Sequence, residues 1–211
     1  MHNGDRLMQV ADIGIVFEGV RKDPDMYGSD YISEFCLVLD RYVPRAKRIL
    51  EWGSGLTSQV ITIYAHSKWK SELFLSIDEN SAYQEAVFAR GFRQSFVRPV
   101  CIDRVGPRRG QADPELNYSC YPLTCGTTFD VIFIDGRRRM ECAFVASMLS
   151  HPQTVLILHD YRRTRYQTVL ALFEVVEDGA QFRVMRPRSD VLSAIRPGTE
   201  VAQAAIRAGT V

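Results

Sequence analysis

What this sequence lacks narrows its function before any motif is read. Neither sign of charge is in excess: over 211 residues the formal net charge is +1, and charged residues make up 24%. That balance excludes a general electrostatic attraction to nucleic acid or to an anionic membrane. No apolar run approaches the roughly 20 residues of a membrane-spanning helix. The opening stretch, MHNGDRLMQVADIG, has no apolar core of the kind a secretory signal carries. A cytoplasmic protein with no membrane partner is therefore expected. Cysteines 36, 101, 120, 125 and 142 form no C-x-x-C pair and no His/Cys metal spacing. They are read as reduced thiols, which excludes a disulfide framework and a zinc site of the usual spacing. There is no internal repeat and no low-complexity tract.

What is present is an alternation of buried strands and helices. Apolar residues are 46% of the chain, enough for one α/β core. Tyr31, Ile32, Phe35, Leu39 and Tyr42 fall at helical spacing, with Ser29 or Asp30 as N-cap and Pro44 as stop. Strands are then expected at 48–52, 73–78, 95–102, 129–135 and 154–160, with helices at 56–66, 80–90, 138–150 and 163–177. Pro99 marks the third strand as an edge strand. Short strands at 181–185 and 191–195 are expected to close the domain as an antiparallel hairpin. Near-continuous apolar strands separated by helices indicate a doubly wound, mostly parallel sheet covered on both faces. The expected organisation is a lead segment at 1–28, an α/β domain at 29–196 with an insertion at 103–128, and a tail at 197–211. An insertion of that length is usually a lid or a binding segment.

The chemistry concentrates at the stretch RILEWGSGLTSQVI, residues 48–61. Gly53 and Gly55 follow the first strand at its carboxyl end, where ligands of doubly wound sheets bind. Missing side chains there let a ligand lie on backbone N–H groups at a helix start. A tight strand-to-helix corner with no ligand accounts for the glycines equally well. Residue 58 is Ser, so the G-x-G-x-x-G dinucleotide fingerprint is incomplete. Glu51, two residues before the first glycine, disfavours a pyrophosphate and suits a cationic ligand.

EWGSGLTS resembles motif I of the class I S-adenosylmethionine-dependent methyltransferases, in its E-x-G-x-G-x-[GST] form. Further acids end the later strands: Asp78 with Glu79, Asp135 in FDVIFIDG, and Asp160 in ILHDY. The resemblance runs from about residue 29 to 196. It implies S-adenosylmethionine as cofactor, with Gly53, Ser54, Gly55 and Ser58 in the loop under the methionine part. Glu51 would lie near the cofactor's amino group. Asp78 and Glu79 would meet the ribose hydroxyls, and Asp103 the adenine amino group.

The same comparison bears on the reaction. Asp135-Gly136-Arg137-Arg138 stands where amino-methylating relatives carry [DN]-P-P-[FY], and no Pro-Cys pair is present. Small-molecule O-methyltransferases are more similar; there two acids and an amide bind a divalent cation. Asp135 and Asp160 match the acids, but Tyr161 stands at the amide, so no metal is assigned. His159, next to Asp160, is the candidate proton acceptor, and Asp135 is a further residue expected to face the substrate; a polar core residue bonded to backbone is the bland alternative for His159. Arg137, together with Arg162 or Arg163, is a candidate clamp for an acidic acceptor. The expected function is methyl transfer to a small molecule, at oxygen. An RNA or protein methyltransferase and a non-catalytic nucleoside-binding relative remain as alternatives. Nucleic acid is not an expected partner, and a homodimer is compatible with the sequence.

Overall fold

The computed structural model describes residues 29–89, 92–102 and 114–208. The lead segment at 1–28 lies outside them, as does the first part of the insertion. Seven strands form one sheet: β1 (Arg48–Trp52), β2 (Leu73–Asp78), β3 (Val97–Cys101), β4 (Val131–Ile134), β5 (Val155–His159), β6 (Phe173–Asp178) and β7 (Phe182–Pro187). Their spatial order is β3-β2-β1-β4-β5-β7-β6. The first five strands run parallel, and β7 is antiparallel to both β5 and β6. The order reverses between β1 and β4.

The period of two along each strand sorts side chains onto the two faces. Ile49, Phe74, Val131, Phe133 and Ile157 face α1 (Ser29–Tyr42) and α2 (Leu56–Tyr64), meeting Ile32, Phe35, Val60 and Ile61. Leu50, Trp52, Leu75, Ile132, Ile134 and Leu156 face the other way, toward Ala143, Ala146 and Leu149 on and beside α5 (Arg139–Met148). Full burial on both faces is why these strands lack a polar alternation. Helix α3 (Ser81–Val87) is capped by Asn80, whose side chain accepts from Tyr83 N–H.

Pro99 does lie on an edge strand, β3, which among the described residues pairs with β2 alone. The antiparallel hairpin exists, but it is built one element earlier than expected. Residues 164–171 form a 3₁₀ turn, and the chain then enters β6 instead of continuing a helix to 177. Tyr166, Val169 and Phe173 imitate helical spacing because all three reach the same core. β6 is an outer strand with only Phe173 fully buried, so it carries no apolar alternation to announce it. The stretch 191–195, expected as a strand, lies in α6 (Ser189–Ala208). Part of the insertion is also helical: α4 (Pro114–Cys120) packs on the sheet, its Tyr118 carbonyl accepting from the Trp52 indole at 3.0 Å. All five cysteines are unpaired.

The amino ends of β1 and β4 are pinned by Asp130. Its Oδ2 accepts from Lys47 N–H at 2.7 Å and Arg48 N–H at 2.8 Å, and Oδ1 pairs with His151 Nε2 at 3.0 Å. Burial raises the carboxyl's pKa, but the His151 bond and the two backbone donors outweigh it and hold the pKa at about 2. A depressed folded-state pKa gives stability that is present above pH 4 and lost as pH falls through 2. Asp130→Asn is expected to lose about 2 kcal/mol at neutral pH and to flatten the acid limb, read by urea unfolding between pH 2 and 7. Parallel profiles for the two proteins would contradict this.

Candidate active site

The cleft opens at the reversal of strand order, beyond the carboxyl ends of the strands. It encloses about 850 Å³ and runs from Gly53, Ser54 and Asp78 at one end to Asp135, His159 and Asp160 at the other.

Backbone contact sets the glycine end. Gly53 has φ +92°, and a β-carbon there would lie 2.5 Å from Gly136 N and 2.6 Å from its Cα. The two chains touch because the Trp52 carbonyl accepts from both Asp135 N–H (2.9 Å) and Gly136 N–H (2.7 Å). A β-carbon at Gly136 would in turn collide with the Tyr118 hydroxyl. Gly55 is different: its backbone is extended, and a β-carbon would sit an ordinary 3.7 Å from the Tyr83 hydroxyl.

Asp78 leans over this corner. Its Oδ2 accepts from Ser54 N–H and its Oδ1 from Asn80 N–H, both at 2.8 Å. Burial raises its pKa against the pull of those backbone donors. The residue lines the cleft. Glu79 lines it too, paired with Arg137 at 2.5 Å.

Glu51 does not reach the cleft. It alternates with Leu50 and Trp52, so its side chain faces α2 and is fully buried. Ser58 Oγ and Ser76 Oγ donate to its Oε2, both at 2.6 Å, and Thr57 Oγ1 donates to Oε1 at 3.2 Å. Ser58 Oγ also accepts from Gly55 N–H at 2.8 Å. Glu51, Gly55 and Ser58 therefore brace the loop from behind, and none of them lines the cleft. Burial drives the Glu51 pKa up to about 8, although the three hydroxyls lower it. The sequence places Glu51 near a ligand's amino group; in the fold its carboxyl lies one pleat deeper than Asp78 and Asp135 and is held by the three hydroxyls.

The opposite end gathers side chains from three elements. Asp135 and His159 continue the faces of Phe133 and Ile157 toward α1, and His159 Nδ1 lies 2.6 Å from Asp135 Oδ1. Tyr31, from the first turn of α1, donates to Asp135 Oδ2 at 2.8 Å and sets its ring edge-on to the imidazole at 5.1 Å. Strand β5 ends at His159. Asp160 then adopts φ +58°, so the residue after the histidine turns back toward the same place instead of pointing to the far face. Arg139 joins the two acids: Nη2 donates to Asp135 Oδ1 at 2.9 Å, and Nη1 lies 3.4 Å from Asp160 Oδ2.

Of the candidate clamps, Arg137 is at the cleft but tied to Glu79. Arg162 stands outside it, over the Tyr161 ring with Nη2 3.3 Å from the Gly179 carbonyl. Arg163 and Arg165 line the cleft in its place. Asp103 lies outside the described residues. Sequence reading missed Tyr31, Ser76, Tyr118 and Arg139. The i, i+4 spacing of Asp135 and Arg139 and a serine inside the buried strand LFLSID were signals for two of them.

The donor set does not fit a divalent cation. Asp135 Oδ1 already serves Arg139 and His159, and Asp160 Oδ2 serves Arg139 and Arg163 (2.6 Å). Tyr161, at the third ligand's position, turns its hydroxyl to the Gly179 carbonyl at 2.7 Å. Among the described residues no helix is long and apolar enough to cross a membrane.

No family model and no curated protein matches the sequence. Solved structures do. A methyltransferase-like protein from Silicibacter pomeroyi aligns with a TM-score of 0.54 at 18% identity, over 83% of this chain and 96% of its own. The O-methyltransferase TomG from Streptomyces achromogenes, solved with SAM, gives 0.53 at 16%, over 90% and 100%. The O-methyltransferase from Bacillus cereus, solved with SAH, gives 0.53 at 16%, over 85% and 92%. The chain has the fold of the class I S-adenosylmethionine-dependent methyltransferases. At these identities the likeness is one of architecture.

Proposed function

We propose that the protein transfers a methyl group from S-adenosylmethionine to an oxygen of a small, acidic, hydroxyl-bearing molecule. The observation that carries this reading is the continuity of one cleft from Gly53, Ser54 and Asp78 to the His159–Asp135 pair. The corner at Gly53 and Ser54 leaves room for the methionine part, its N–H groups held by the Ile77 carbonyl and Asp78, and Asp78 with Glu79 beside it faces the ribose diol. When bound, the cofactor supplies an electrophilic methyl group on a sulfonium sulfur.

The chain's own contributions are orientation and proton removal. Holding the acceptor in place is worth ~7–11 kcal/mol in well-aligned cases. His159 donates its Nδ1–H to Asp135, which leaves Nε2 as the lone pair that takes the acceptor's hydroxyl proton. Tyr31 and Arg139 hold Asp135, and Asp135 sets the tautomer. Arg163, shared with Asp160, and Arg165, stacked 4.9 Å from the Tyr166 ring centroid, support an acidic acceptor. Arg163 is one of the clamps the sequence offered, and Arg165 joins it.

S-adenosylhomocysteine at about 100 times its dissociation constant should stabilise the protein by about 2.7 kcal/mol, a melting shift of roughly 5–10 °C. Asp78→Ala is expected to weaken binding by about tenfold or more. Absence of any wild-type shift at millimolar ligand would remove the reading.

A further inference from the structure

The acceptor end of the cleft holds two carboxylates, and their neutralising charge comes from an unusual source. Arg139 is only 11% exposed at its side chain, and four of its five N–H donors make hydrogen bonds, with Asp160 as an ion-pair partner. Nε donates to the Gly136 carbonyl at 3.0 Å. Nη1 donates to the His159 carbonyl at 2.5 Å and faces Asp160 Oδ2 at 3.4 Å. Nη2 donates to the Asp135 carbonyl and to Asp135 Oδ1, both at 2.9 Å. One guanidinium thus binds the carboxyl end of β4, the carboxyl end of β5 and both acids that follow them.

The backbone is bent to make this possible. Arg138 and Asp160 both take left-handed φ values, +50° and +58°, without being glycine. Such conformations persist only where the surroundings over-determine them. Here one immediately precedes Arg139 in the chain and the other carries an acid that Arg139 meets. The Tyr166 ring lies 5.4 Å from the Arg139 guanidinium carbon and helps to fix its plane.

We infer that Arg139 is a resident cation in the place a divalent metal would take, so the acceptor end orients His159 and Asp135 without any metal ion. Arg139 is a positioning residue: it touches Asp135, and Asp135 touches the histidine. The assignment rests on reading this end as the acceptor site. Its physical content is independent of that reading. Asp135 Oδ1 and Asp160 Oδ2 are already engaged by guanidinium groups, Asp135 Oδ2 by Tyr31, and a second cation would meet Arg139's charge.

The test uses the full chain and MnCl2 or MgCl2 as probe. Millimolar Mn2+ or Mg2+ is expected to leave the wild-type melting temperature unchanged, and EDTA likewise. A rise of about 5 °C or more that Asp160→Asn abolishes would overturn the inference. In Arg139→Ala the melting temperature should fall, and millimolar guanidinium chloride should restore part of it where equal sodium chloride does not. Restoration by neither salt, or equally by both, would show that no specific cation site exists there. Should Arg139→Ala fail to fold, Arg139→Lys takes its place: a lysine lacks the planar five-donor fork, so the strongly downfield Nδ1–H signal of His159 should weaken although the charge is kept. An unchanged signal in a folded Arg139→Lys would contradict the positioning role. S-adenosylhomocysteine added to the same wild-type samples separates the two claims. A missing cofactor shift counts against the proposed function, and the metal response alone judges Arg139.

Discussion

Gly53→Ala is expected to cost the fold about 3–5 kcal/mol, a fifth or more of the stability of an ordinary domain. Two penalties combine. The φ of +92° is strained for any residue with a β-carbon. That β-carbon would also stand 2.5–2.6 Å from the Gly136 backbone, which cannot yield without breaking the bonds from Asp135 and Gly136 N–H to the Trp52 carbonyl. Because the same corner is the floor of the cleft, S-adenosylhomocysteine binding should fall with stability. Gly55→Ala is the control. Its φ is extended and the added carbon meets only the Tyr83 hydroxyl at 3.7 Å, so a loss below about 1 kcal/mol is expected. Urea unfolding of the two variants beside the wild type decides. Equal stability for Gly53→Ala and the wild type would refute the close approach.

Glu51 should make stability fall as pH rises. Its carboxyl is raised from 4.5 to about 8 by burial, so the folded protein holds a proton that the unfolded chain releases. A raised folded-state pKa gives a contribution fully present below pH 4.5 and lost progressively up to pH 8. The contribution is on the order of 4 kcal/mol. Glu51→Gln mimics the protonated form: one acceptor and one donor among the hydroxyls of Thr57, Ser58 and Ser76. The difference between wild type and variant, measured by chemical unfolding from pH 5 to pH 8.5, should therefore grow in the variant's favour with pH. A constant difference would mean that the carboxyl is solvated and ionised throughout.

These two residues also show how far the sequence could be read. The glycine corner and the acids at the ends of the first, second, fourth and fifth strands stand out in the letters, because buried strands must be apolar and any acid at their ends is conspicuous. What an acid does there depends on how far along the strand it stands and on what covers it. Glu51 pairs with Ser76 and Phe133, so it shares a face with Asp78 and Asp135 but lies one pleat deeper, under the hydroxyls of α2. Sequence spacing assigns that depth only when the strand's partners are known, and Ser76, its neighbour in the β1–β2 pairing, becomes meaningful only with that register. His159 and Asp160 pose the converse case. Adjacent strand residues should point apart, but the left-handed turn at Asp160 brings them to one place, and nothing in the pair HD announces that turn. Tyr31 was visible as part of an apolar stripe; its hydroxyl, not its ring, carries its role at the site. Among the arginines, burial separates the structural Arg139 from its exposed neighbour Arg137, and burial of a cation is set by tertiary partners that lie far off in sequence. The hairpin was displaced by one element for a related reason: an outer strand exposed along most of its length leaves no alternation to detect.

A crystal structure of the protein grown with S-adenosylhomocysteine tests the central claim most directly. The account predicts the homocysteine part against Gly53 and Ser54, the ribose hydroxyls on Asp78, and the sulfur facing the half of the cleft that holds His159 and Asp135. Crystals grown at millimolar ligand with Asp78 still bound only to Ser54 and Asn80, and the ligand absent or seated elsewhere, would contradict it.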